Sequence, residues 1–150
     1  MTNNAQAVQK TFEEFMKGNT SAVIDLCADD VTWGSYENPG VPVAGTFKGK
    51  DEVRHFFSLL PETFDFTDFT PREFYGEGNT VIVLGHNSGK VKKTGKKFDQ
   101  EWAMVFKFRG SKISSTFFFG DTRQQAETFH EGFTMNRQET IPASGVKTER

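Results

Sequence analysis

The sequence predicts an α+β domain in which helices from the first sixty residues pack on one face of a curved antiparallel sheet built from the rest. Two patterns predict it. Apolar residues up to Leu60 recur at helical spacing, whereas from Phe64 onward apolar and polar residues alternate. Length bounds it, because 150 residues suit one core and leave little for a second.

Each element has its own local signal. Ala5, Val8, Phe12, Phe15 and Met16 form one face of an amphipathic helix over 4–17, and Gly18 stops it. Asn19, Thr20 and Ser21 offer N-cap oxygens to a second, short helix in which Val23, Ile24 and Cys27 share a face. Val31 to Trp33 reads as a short strand, and 34–45, with Pro39, Gly40 and Pro42, as an irregular loop. Val53, Phe56, Phe57 and Leu60 give Lys50 to Leu60 helical spacing, and Pro61 is expected to end that helix. Phe64 and Phe66 then alternate with Asp65 and Thr67, Pro71 interrupts, and the turn 76–79 leads into a strand from Thr80 to His86. Lys90 to Lys97 reads as a solvated hairpin tip. Trp102, Met104, Phe106 and Phe108 alternate with polar or small residues, a period-two strand, and 112–120 forms the next. Asp121 to Phe129 is helical in composition. The domain is therefore expected over 1–132, with a mobile tail over 133–150.

Composition excludes several roles. A net charge of -2 offers no general field for nucleic acid or an anionic membrane, and no apolar run approaches the length of a membrane span. Met1 to Gln9 lacks the basic and apolar regions of a signal peptide, so a soluble cytoplasmic protein is expected. Cys27 stands alone and reads as a core residue, which excludes an internal disulfide or thiolate metal cluster. The three His are scattered without metal-ligand spacing, and neither a Walker loop nor a dinucleotide fingerprint is present, so neither metal nor cofactor is expected. The five Lys of 90–97 read as a solvated edge that discourages strand pairing, not as a nucleic-acid contact.

Several local strings carry a resemblance. Ala28-Asp-Asp-Val-Thr-Trp33, Ala44-Gly-Thr-Phe-Lys-Gly-Lys-Asp51, Phe69-Thr-Pro-Arg-Glu-Phe74, Gly76-Glu-Gly-Asn-Thr-Val81, Thr94-Gly-Lys96, Glu101-Trp-Ala-Met-Val-Phe106 and Gly110-Ser-Lys-Ile113 occur in an order that resembles the NTF2-like superfamily. Within it, the chain is similar to the SnoaL-like, or polyketide cyclase-like, branch over about residues 5–130. The resemblance implies a cone-shaped fold with three N-terminal helices on the concave face of the sheet and a short C-terminal helix. It also implies a pocket between helices and sheet and a homodimer through the outer sheet face, to which Phe117 and Phe119 add an apolar strip. Positions where ketosteroid isomerases of this fold carry their base and oxyanion donors read Ser35, Phe12 and Met104 here. Positions of the limonene-epoxide hydrolase constellation read Trp33, Ser35 and Phe118. Neither reaction is expected.

Two proton carriers remain. Asp121 corresponds to an Asp that the resemblance assigns to acid/base work, but Asp121 with Gln124 three residues on is equally an N-cap pair. His86 has a suitable ordinary pKa, and its strand is apolar on both faces, so sequence leaves its facing open. Of the chain's 17 Phe and 2 Trp, the expected pocket draws on Phe12, Phe15, Trp33, Phe56, Phe57, Trp102, Phe106 and Phe118, joined by Met104. Thr116 and Tyr36 are the expected hydrogen-bonding partners of an apolar small molecule. Two functions stay open: cofactor-independent cyclase-, isomerase- or hydratase-type catalysis, or non-catalytic binding of a small ligand.

Overall fold

A computed structural model describes residues 3–130. The helices are α1 (Asn3–Met16), α2 (Thr20–Asp25), α3 (Gly49–Thr63) and α4 (Thr122–Phe129). The strands are β1 (Cys27–Ser35), β2 (Thr46–Lys48), β3 (Phe64–Glu77), β4 (Thr80–Val91), β5 (Lys97–Arg109) and β6 (Lys112–Phe119). They form one sheet in the order β2-β1-β6-β5-β4-β3. The sheet is mixed, not wholly antiparallel as expected, because β1 runs parallel to β6. Helix α3 supplies the long connection between β1 and the later strands, which frees β1 to enter the sheet in the same direction as β6.

Alternation drives the architecture. In β4, Val81, Val83, Gly85, Asn87, Gly89 and Val91 are buried, while the residues between them are partly or well exposed. The same period runs through Phe98, Trp102, Met104, Phe106 and Phe108 of β5. Onto this inner face pack α1, through Ala5, Val8 and Phe12, and α3, through Val53 and Phe57. A second cluster, Val41, Val43, Val91, Phe98 and Phe129, closes the end near α4.

Several local expectations are corrected. Cys27 opens β1 instead of closing α2; its thiol lies 3.5 Å from the Val23 carbonyl, and burial pushes its pKa up to about 11. Asn19 stands at the N-cap of α2 but its side chain is turned back to donate to Glu14 Oε1 at 2.8 Å, so it does not cap. Strand β2 comes from a segment with no alternation long enough to announce it. Pro61 lies inside α3 and the helix runs on to Thr63. Pro71 does not break β3 either: the strand is at the sheet edge and a register shift between Pro71 and Glu73 absorbs the missing donor. Strand β4 reaches Val91, five residues beyond the expected His86. The Lys-rich hairpin is tied to helix ends, since Lys92 Nζ donates to the Pro61 carbonyl at 2.6 Å and Lys96 Nζ to those of Glu127 and His130 at 3.3 and 2.8 Å. The tail expected over 133–150 lies outside the described residues.

Candidate functional site

Helices and inner sheet face leave a cavity of about 130 Å³. Helical spacing places Phe12 and Phe15 of α1 on its wall, with Phe56, Phe57 and Leu60 of α3 beside them. Period two brings Phe98, Gln100, Met104 and Phe106 from β5, and Phe64, Phe66 and Phe69 come from β3, where a shift after Phe66 keeps Phe69 facing inward opposite Asn87. Trp33 and Phe118 complete the wall from β1 and β6, and α4 contributes Gln124, Gln125, Thr128 and Phe129. Among the described residues, none that lines the cavity carries an ionisable side chain.

The polar part of the lining is an amide network next to α4. Gln100 Oε1 accepts the Asp121 backbone N–H at 2.8 Å, and Gln100 Nε2 donates to Asn87 Oδ1 at 3.1 Å. Gln124 Oε1 accepts the Asp99 N–H at 2.6 Å, and Gln125 Oε1 accepts from Asn38 Nδ2 at 3.0 Å. The lining hydroxyls of Thr11 and Thr128 donate to main-chain carbonyls one helical turn back, Ala7 at 2.9 Å and Gln124 at 3.0 Å. Sequence reasoning missed Asn87, Gln100, Gln124 and Gln125, and also the lining rings of Phe64, Phe66, Phe69, Phe98 and Phe129. Asn87 and Gln100 stand at inward positions of period-two strands, so polar residues interrupting an apolar phase were the available signal.

Of the residues expected in the pocket, Phe12, Phe15, Trp33, Phe56, Phe57, Met104, Phe106 and Phe118 line the cavity. Ser35, the remaining position of the isomerase and hydrolase comparisons, lines it too. Three expected residues do not. Trp102 is buried behind the wall, with ring centroids 5.9, 5.5 and 5.5 Å from those of Phe12, Phe69 and Phe118. Its indole lies across Gly85, where an added Cβ would come within 2.7 Å of Trp102 Cε2, so the glycine is what admits it. Thr116 is buried off the wall, and its Oγ1 has no hydrogen-bond partner among the described residues. Tyr36 is 58% exposed and lies edge-on against Phe117 and Phe119 of the outer face.

Neither expected proton carrier lines the cavity. Asp121 is the N-cap of α4: its Oδ1 accepts the Gln124 N–H at 3.0 Å and its Oδ2 the Gln124 side-chain amide at 3.3 Å. Its carboxylate is thus engaged with the first turn of its own helix, touching the amide network through Gln124, and its backbone N–H reaches the network at Gln100.

The SnoaL-like domain pattern matches residues 8–116. The chain belongs to the SnoaL-like family. An NTF2-like protein from Burkholderia thailandensis is 30% identical, with a TM-score of 0.73 over 84% of this chain and 98% of that one. One from Burkholderia xenovorans is 27% identical, with a TM-score of 0.78 over 85% and 95%. An NTF2-like protein of unknown function from Burkholderia pseudomallei is 25% identical, with a TM-score of 0.76 over 86% and 98%. No curated protein matches.

On this SnoaL-like sheet His86 faces away from the cavity. It sits on the outer side of β4 between two carboxylates, its Nδ1 2.6 Å from Asp68 Oδ2 and its Nε2 2.6 Å from Asp99 Oδ1. Asp99 first and then Asp68 hold the imidazole pKa above its ordinary value. Thr70 first, then His86, holds the Asp68 carboxyl below its own. A ring with a carboxylate at each nitrogen is a clamp across β3, β4 and β5, and it has no free nitrogen to offer a substrate. Among the described residues no three His, Cys, Asp or Glu side chains converge as a metal site, and no helix is long and apolar enough to cross a membrane.

Proposed function

We propose that this SnoaL-like protein binds a small apolar molecule in the Phe-lined cavity and does not turn it over by proton transfer from the protein. One observation carries the reading: aromatic side chains line the cavity, and no lining side chain among the described residues can gain or lose a proton near neutral pH. The engagement of Asp121 as a cap and of His86 between Asp68 and Asp99 supports it. Titration with toluene tests it. Saturable one-to-one binding is expected, unchanged in Asp121→Asn and His86→Asn; a flat titration at millimolar toluene overturns it.

We further infer that two copies pair through the outer sheet face. Cross-strand register aligns Tyr75, Ile82, Val105 and Phe117 in one row and places Leu84, Ala103 and Phe119 in the next, an apolar surface with Ile82, Leu84 and Phe119 each exposed by more than a third. Sedimentation is expected to show a dimer that Leu84→Asp converts to monomer without loss of toluene binding. A wild-type monomer at tens of micromolar would count against the pairing.

A further inference from the structure

One inner position of β4 is out of keeping with its neighbours. Asn87 is only 3% exposed, lines the cavity and sits among Phe69, Phe98 and Trp102. The orientation of its amide is fixed by a chain of bonds that begins at the backbone. The Asp121 N–H can only donate, so the Gln100 atom that receives it must be Oε1. Gln100 then turns Nε2 to Asn87, and the Asn87 atom that receives Nε2 must be Oδ1. The remaining Asn87 atom is Nδ2, which has no partner among the described residues. Gln125 is fixed in the same manner, because Asn38 Nδ2 donates both to the Thr122 carbonyl at 2.9 Å and to Gln125 Oε1, leaving Gln125 Nε2 without a partner. Two amide donors therefore remain, and the lining carries no anion to occupy them.

We propose that the ligand of this cavity is a single-ring compound with a carbonyl-type acceptor oxygen, received by Asn87 Nδ2. This rests on the small-molecule reading above and narrows its chemistry. Size limits the buried part to one ring, since an apolar cavity of about 150 Å³ accommodates benzene. Polarity selects an acceptor, because a buried amide donor left unpaired is costly and a ligand donor group would leave it so. Asn87 contributes by specificity: its Oδ1 is already committed to Gln100, so it cannot rotate to welcome a donor without breaking the chain to Asp121.

Acetophenone and isopropylbenzene, with the same number of heavy atoms and differing in the acceptor oxygen, test this by isothermal titration. Asn87→Leu is expected to weaken acetophenone about 5–10-fold while isopropylbenzene holds or tightens. Gln100→Met, which keeps Asn87 but releases its orientation, is expected to weaken acetophenone alone by a smaller factor. In the wild-type protein, the infrared carbonyl stretch of bound acetophenone should fall below its value in hexane, a readout that needs no variant. A hexane-like stretch, or equal change of both probes in Asn87→Leu, overturns the acceptor proposal and leaves the apolar cavity standing. Failure of both probes to bind removes the cavity reading and this proposal together.

Discussion

Strand β4 presents two chemistries one residue apart. Its inner side, from Val81 to Val91, faces aromatic rings and neutral amides, whereas its outer side carries Ile82 and Leu84 and then His86 between Asp68 and Asp99. The histidine–carboxylate clamp thus lies on the face where solvent lowers the cost of ionisation, and the inner face has been left to groups whose state does not vary with pH. The difference teaches that the two titratable residues expected to carry protons, Asp121 and His86, serve architecture here, and that the cavity is lined by rings and neutral amides.

The largest expected effect tests the inner side. Phe106 is 1% exposed and contacts both Phe12 and Trp33, so Phe106→Ala should lower stability by about 3–5 kcal/mol in denaturant unfolding. A loss below ~1 kcal/mol would mean that the wall is loosely packed. Thr116→Val should raise stability by about 1 kcal/mol, because it replaces a buried hydroxyl without a described partner by an isosteric methyl. Destabilisation would reveal a partner for that oxygen. At the boundary of the two faces, Asp121→Ala should cost about 1 kcal/mol and Asp121→Asn only a few tenths, as expected of a cap.

The smallest effect belongs to the outer side and is read as a slope. The folded pKa of His86 is raised, so its stabilisation is complete below the unfolded value near ~6.5 and is lost as pH rises through the higher folded value. Asp68 has the opposite sign: its lowered pKa gives stability above the ordinary carboxylate range that is lost in acid. Wild-type stability should therefore fall as pH rises past ~6.5, and His86→Gln should flatten that limb. An unchanged slope in His86→Gln would show that Asp68 and Asp99 do not hold the ring in solution.

Part of the cavity wall was legible because helical and period-two spacing fix which side chains share a face, whereas Phe64, Phe66, Phe69, Phe98 and Phe129 join it only through the fold. Phe12 and Phe15, or Met104 and Phe106, need no tertiary information to be grouped. His86 was not legible: Val81, Ile82, Val83 and Leu84 are apolar on both faces, so alternation carried no phase to assign it. Tyr36 and Trp102 were misplaced for a different reason. A loop sets the direction of the first, and the space beside Gly85 decides the depth of the second; neither is a property of the local pattern.

By itself the sequence determined the α+β order and the helical and period-two faces that carry Phe12, Phe15, Phe56, Phe57, Met104 and Phe106, since these follow from chain-local periodicity. Tertiary structure alone decided that β1 runs parallel to β6, that His86 is clamped outside, and that Asn87 accepts from Gln100 through Oδ1. These depend on residues distant in the chain, Asp68 and Asp99 for the histidine and Gln100 with the Asp121 backbone for the amide, and no local pattern encodes which of them meet.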